Sequence, residues 1–183
     1  MRLWSFAVEI VPLGVFFTVN ALYGLFAAAG ASASVAAIIL VATAIFERRI
    51  AVFPAYSVVL SAAFTIAAIA LSEKIFIKVQ PTVFNGLFAV TLLGGLAMGV
   101  PVMRAFFGAQ FGLTERTWRL LSLRWGLFFA LLAVGNEIAW RSLSDDGWVA
   151  LKVFIFAPAT GLFALSQLPL TLRGRSSRAD RFS

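Results

Sequence analysis

Apolar residues in this chain fall into long runs, with the charged residues gathered mainly in the gaps between them. Six apolar segments can be marked, at 6–29, 32–46, 52–71, 82–100, 125–140 and 149–168. Arg48 and Arg49, the 73–80 stretch, a long 101–124 connection, the Asp145-Asp146-Gly147 turn and the tail after Leu172 separate the later ones. The weakest gap is the first, where only Gly30-Ala31-Ser32-Ala33-Ser34 interrupts the run. The second segment, 15 residues long, spans ~22 Å if helical. A tight helical hairpin with its turn at 30–34 is expected there in preference to one bent helix.

The fifth segment is the most informative. Arg124-Trp125 opens it, Trp140-Arg141 closes it, and Asn136-Glu137 lies shortly before the closing pair. The helix between the two arginines covers ~26 Å, close to the ~30 Å hydrocarbon core of a bilayer. Trp125 and Trp140 are expected at the two interfaces, where an amphipathic indole is at home, with Arg124 and Arg141 reaching into the headgroups. Glu137 and Arg141 have the i to i+4 spacing of a same-face ion pair.

Composition extends this reading to the whole chain. It is 61% hydrophobic and 13% charged, with a mean hydropathy of +0.96, whereas a soluble domain carries about 25% charged residues. The expected fold class is an all-α integral membrane protein. It has six transmembrane helices, or five plus a re-entrant or interfacial first segment, and an interfacial amphipathic segment. In 183 residues there is no room for a soluble catalytic domain beside them, so 1–172 is read as one helical membrane domain and 173–183 as a basic, disordered tail. The first segment is not expected to be a cleavable signal peptide, because Glu9 and Pro12 interrupt it early. No internal repeat supports an inverted-repeat transporter. The absence of cysteine and histidine removes disulfides, thiol nucleophiles, thiolate or imidazole metal sites, axial haem ligands and Ser-His-Asp chemistry. No cofactor or metal is expected.

Positive charge orients the bundle. If every segment from the second onwards crosses once, ten basic residues share one side: Arg48, Arg49, Arg104, Arg116, Arg119, Arg124, Arg173, Arg175, Arg178 and Arg181. Four lie on the other: Lys74, Lys78, Arg141 and Lys152. The positive-inside rule then places the 101–124 connection and the C-terminus in the cytoplasm. The net charge of +7 points to anionic lipid headgroups and away from nucleic acid.

Within the 101–124 connection, Phe106, Phe107, Phe111, Trp118 and several leucines alternate with Arg104, Arg116 and Arg119. Rings at the acyl boundary and guanidinium groups on phosphates would suit a segment lying in the inner interface. Arg104, Arg116, Trp118, Arg119, Arg124 and Trp125 are therefore the candidate lipid contacts. Gly95 and Gly99 form a small-xxx-small pair, expected to serve packing within the chain before dimerisation.

Polar residues inside the apolar segments are the remaining candidates for chemistry. Glu9, Asn20, Asn85, Asn136 and Glu137, with Trp140 and Arg141 beside the last two, form the candidate structural or functional cluster; Tyr23 and Gln167 are also embedded. An ionisable residue in a membrane is a functional hypothesis by default. Here the carboxylates lie near segment ends, and Asn20 and Asn85 are expected to bond across helices. No paired carboxylates, phosphate-binding glycine loop or serine with a recognisable base accompanies them, and no catalytic residue is assigned.

Several short strings, taken in order, resemble the intracellular septation protein A family, also called the inner membrane-spanning protein YciB family. They are Glu9, Pro12, Phe16-Phe17, Asn20 and Tyr23-Gly24; Phe76, Lys78 and Pro81-Thr82; and Leu113-Thr114, Trp118 and Arg124-Trp125. Phe128-Phe129, Asn136-Glu137, Trp140-Arg141, Trp148-Val149, Lys152-Val153-Phe154, Pro158 and Gln167-Leu168-Pro169-Leu170 continue the series over almost the whole chain. Gln80, Leu151 and Ile155 depart from it, standing where lysine, phenylalanine and glycine are expected. The resemblance implies a Gram-negative inner-membrane protein that supports envelope integrity, membrane homeostasis and septation without enzymatic activity. Its expected partners are lipids and division or wall-synthesis proteins. A small transporter or lipid-handling protein is the alternative, favoured by a midplane cavity lined by Asn20, Asn85 and Glu137. A membrane enzyme would instead need Glu9, Asn136 and Arg141 around a lateral opening.

Overall fold

A computed structural model of the chain describes residues 3–47, 52–108 and 111–175. Helices α1 (Leu3–Tyr23), α2 (Leu25–Glu47), α3 (Val52–Leu71) and α4 (Ile75–Ala97) are followed by a short α5 (Val102–Phe107) and a long α6 (Glu115–Ser142). Then come α7 (Asp145–Leu151), a π-helical turn at Lys152–Phe156, α8 (Ala157–Ser166) and α9 (Leu168–Arg173). Among the described residues the sole β pairing is an isolated antiparallel bridge between Leu113 and Arg175. Four stretches are long and apolar enough to cross a membrane: Leu25–Ile45, Ile75–Ala97, Glu115–Ser142 and Asp145–Arg173. Val11–Tyr23 and Val58–Leu71 are shorter apolar helical stretches.

The hairpin forms, but its turn lies at Gly24 and not at 30–34. Gly24 has φ +81°, a left-handed conformation that costs other L-residues ~1–2 kcal/mol. The 30–34 residues are small and mildly polar, yet nothing in them breaks a helix. Ser34 Oγ donates to the Gly30 carbonyl one turn back, and Ser32 Oγ donates across to the Pro12 carbonyl at 2.9 Å. α4 starts seven residues before the expected segment and carries Pro81 internally. α6 starts at Glu115, so Arg116, Trp118, Arg119 and Arg124 stand on a long helix and not in a connection. Thr114 caps it, its Oγ1 accepting from the Thr117 amide at 3.4 Å.

The chain divides into two compact units, Met1–Gln80 with Ala139–Ile155, and Pro81–Ile138 with Phe156–Ser183. In the first unit α1 packs on α2, α2 on α3, and α7 on α1. Its core joins Phe16, Leu25, Ala28, Ala68, Ile77, Trp148 and Val149, with Phe16 and Trp148 edge to face at 6.2 Å. Small residues such as Ala28 let helix backbones approach where lipid supplies no hydrophobic drive for association.

In the second unit α4, α6 and α8 contribute one run of rings. Phe84 meets Phe88, Phe88 meets Phe129, and Trp125 contacts Phe128, Phe129 and Phe163. Phe128 and Phe163 stack face to face at 4.1 Å. Gly126 permits the approach of Leu93 on α4, and Gly95 that of Val102. The Gly95 and Gly99 pair thus packs within the chain through Gly95, while Gly99 sits in the following turn at φ +81°. Leu127, Leu131, Val134 and Ile138 leave an exposed stripe along α6, at the spacing of one helix face. Leu121, Ser122, Ala133 and Asn136 are buried.

Candidate functional site

Polar side chains meet at three places. In the first unit, Ser144 caps α7 by accepting from the Gly147 amide, which fixes Asp145 and Asp146 in the first helical turn. Asp145 there takes two lysines, Lys74 Nζ at 2.6 Å and Lys78 Nζ at 2.5 Å. Asp146 Oδ1 accepts from the buried Asn20 Nδ2 at 2.8 Å, which ties α7 to α1.

One turn on, Lys152 opens the π-helical turn, its Nζ lying 4.8 Å from the ring centre of Phe16 and 5.2 Å from that of Trp148. Two ring faces are a favourable setting for an ammonium group where water is scarce. Pro158 explains the wider turn, since it cannot donate to the carbonyl of Phe154 and a regular helix would be crowded there. Arg141 caps the ring of Trp140 in the same way, at 4.5 Å.

In the second unit Thr82 joins two of the predicted residues. Asn136 Nδ2 donates to Thr82 Oγ1 at 2.8 Å, and that hydroxyl donates to Glu137 Oε2 at 3.2 Å. Asn136 is 1% exposed. Glu137 lies more than one turn inside α6, deeper than expected, because the helix continues to Ser142. Asn85 behaves differently from expectation: its Nδ2 donates to the Pro81 carbonyl of its own helix at 2.8 Å. An amide facing a proline turn finds its acceptor locally.

The third place is the basic end of the second unit. Leu113, Trp118 and Leu121 form a small core with Met103, Trp125 and Leu170 packed on it. Trp118 is 3% exposed, so its ring belongs to this core and is withdrawn from the expected lipid contacts. Trp125 is half-buried among the rings. Glu115 binds Arg104 at 3.2 Å and Arg119 at 3.5 Å, and Arg124 donates to Gln167 Oε1 at 3.3 Å. An open hollow of about 410 Å³ is lined by Gly99, Val100, Pro101, Arg104 and Ala105. The expected start of a disordered tail at 173 does not hold for its first residues. Arg173 ends α9, and Gly174-Arg175 pairs with Leu113-Thr114.

The side chain of Glu9, the Arg48-Arg49 pair and the tail beyond Arg175 lie outside the described residues. Sequence reasoning missed Thr82 as a partner of Asn136 and Glu137, and missed the joining of Lys74 and Lys78 through Asp145. Both depend on helices meeting across more than 50 residues of chain. Lys152 carried one signal, a cation a few residues into an apolar segment. Among the described residues no group of three or more acidic side chains is arranged to hold a metal ion.

Comparison with known proteins agrees with this architecture. The family model described as intracellular septation protein A matches residues 4–177. An inner membrane-spanning protein YciB from Bradyrhizobium sp. (strain ORS 278) is 42% identical over 171 residues, covering 93% of this chain and 86% of the relative. One from Afipia carboxidovorans is 39% identical over 97% of this chain and 88% of its own length, and one from Rhizobium meliloti is 39% identical over 93% and 89%. No solved structure matches the chain. With four bilayer-length apolar helices and a family match over nearly its whole length, the chain belongs to the intracellular septation protein A family, multi-pass helical proteins of the inner membrane.

Proposed function

We propose that the protein supports cell-envelope integrity, membrane homeostasis and septation as a non-catalytic membrane scaffold, through contacts with lipids and with division or wall-synthesis proteins. The observation that carries this reading is the Asn136-Thr82-Glu137 chain, in which polar groups inside apolar helices are hydrogen-bonded to one another. Contacts of that kind hold helices together in a bilayer. The Asn20-Asp146 bond plays the same part in the first unit. The family description, septation, gives the reading its cellular setting.

In this reading α1, α2, α3, α4, α6 and the α7–α9 run make six crossings, residues 1–172 act as one membrane domain, and the C-terminus is cytoplasmic. Two contacts support the grouping of the loops. The Lys74-Asp145 ion pair brings the turn before α4 and the turn before α7 to one end of the first unit. The Leu113-Arg175 bridge brings the connection before α6 and the end of α9 to one end of the second. α5 with the start of α6 lies along the inner interface, where Arg104, Arg116, Arg119 and Arg124 face anionic headgroups.

Deletion of the gene in its native bacterium tests the proposal. Division and envelope defects are expected, rescued equally by the wild type and by Glu137→Gln wherever the variant folds. Normal septation and an intact envelope in the deletion strain would sink the reading. A small transporter remains the alternative, and proton- or sodium-coupled uptake of a solute into liposomes, abolished by Glu137→Gln, would replace the scaffold with it.

A further inference from the structure

We propose that the pairing of Leu113-Thr114 with Gly174-Arg175 builds a specific site for the phosphate of an anionic phospholipid, formed by Arg116, Arg173 and Arg175. This inference rests on the lipid-contact reading above; it keeps Arg116 of that set and adds Arg173 and Arg175, both of which the sequence placed in a disordered tail.

Charge distribution selects these three. The described part of the second unit contains two carboxylates, Glu115 and Glu137. Glu137 is held at Thr82 within the helices. Glu115 uses one oxygen for Arg104 and the other for Arg119, so those two arginines already face a compensating charge. Arg124 has a partner in Gln167. Arg116, Arg173 and Arg175 are all exposed and form no ion pair among the described residues.

Geometry gathers them. Leu113 and Arg175 stand opposite each other in an antiparallel bridge, and the Thr114 amide donates to the Gly174 carbonyl at 2.9 Å. Arg173 immediately precedes this pairing, Arg175 is part of it and Arg116 follows it by two residues, so the backbone positions of all three arginines lie on or within two residues of one small platform. The platform is firmly seated. Gly174 is buried so tightly against Thr117 that a Cβ would collide with its side chain, and the Thr117 hydroxyl is bonded to that of Thr114 at 2.8 Å. Beneath lies the Leu113, Trp118 and Leu121 core, which also holds Leu170 of α9. Planar guanidinium forks suit phosphate oxygens. Because the three residues flank the ends of apolar helices of bilayer length, the phosphate they meet is that of a lipid headgroup.

The test uses the purified full chain in a neutral detergent, titrated with phosphatidylglycerol, with phosphatidylcholine or with inorganic phosphate, and read by native mass spectrometry and by thermal shift. Phosphatidylglycerol is expected to bind and to raise the melting temperature, with phosphatidylcholine at least about tenfold weaker and binding weakened between 50 and 500 mM salt, as roughly expected when the screening length shrinks. Replacing Arg116, Arg173 and Arg175 together with Gln should weaken phosphatidylglycerol binding by at least about tenfold. Replacing the same three with Lys should restore part of it, while Lys74→Gln, which removes a basic residue of the first unit, should change it by less than about threefold. Should the triple Gln variant bind like wild type, or the Lys74 variant lose as much, this site is wrong while the broader lipid reading stands. Wild-type protein that does not distinguish the two lipids would remove the lipid reading as well. Equal binding of inorganic phosphate would reassign the site to a soluble anion.

Discussion

Asn136 donates through Nδ2 to the hydroxyl of Thr82 at 2.8 Å, joining α6 to α4. Thr82 passes the bond on to Glu137, so one hydroxyl holds together the two most deeply polar positions of α6. Replacing it with the isosteric valine removes the donor and acceptor and keeps the volume. Thr82→Val should lower stability in detergent by about 1 kcal/mol, in the range of interhelical hydrogen bonds in membranes. Thr82→Ser should stay within a few tenths of wild type, by the same comparison. A valine variant as stable as wild type would show that the bond contributes nothing to the packing.

Gly24 and Gly30 make a matched pair for locating the hairpin turn. Gly24→Ala forces a side chain into the left-handed region and should cost about 1–2 kcal/mol. Gly30 lies within α2 with open space around its Cβ position, so Gly30→Ala should be neutral or stabilising by up to about 1 kcal/mol. Reversal of these two effects in a thermal melt would return the turn to 30–34.

Trp148 is 1% exposed and is the largest fully buried side chain among the described residues. Its ring meets Phe16 edge-on and lies under the Lys152 ammonium. Trp148→Ala should cost about 3–5 kcal/mol, enough to leave little folded protein after extraction. Trp148→Phe should keep most of the packing, and gel filtration in mild detergent would register the contrast.

Topology can be read by accessibility labelling, because the chain has no cysteine of its own. A cysteine at Ser72 should label from the periplasmic side and one at Ser177 only after the inner membrane is permeabilised. The expectation rests on the ten-to-four charge asymmetry. Periplasmic labelling at Ser177 would invert the whole bundle.

Apolar run length and charge content determined the helical membrane class, and the positions of α3 and of most of α4, α6 and α8 followed from them. Both are local properties that a bilayer reads directly, since every backbone group in hydrocarbon must be bonded within a helix or a closed barrel. The strings that resemble the family were legible for a similar reason, being short and contiguous. Helix boundaries were less legible. Polar residues such as Lys78, Arg116 and Arg119 sit comfortably in the end turns of long helices, so a change of polarity does not mark where the helix stops. Which polar residues meet was decided by the tertiary structure alone. Asn20 with Asp146, Thr82 with Asn136, Asp145 with both lysines and Leu113 with Arg175 are separated by 54 to 126 residues, and their meeting depends on which faces the packed helices turn toward one another. Asn20 and Asn85 are the same residue type in similar apolar surroundings, yet one ties α1 to α7 and the other bonds its own proline turn. Nothing local distinguishes them, because a side-chain amide takes whichever acceptor the packing leaves within reach.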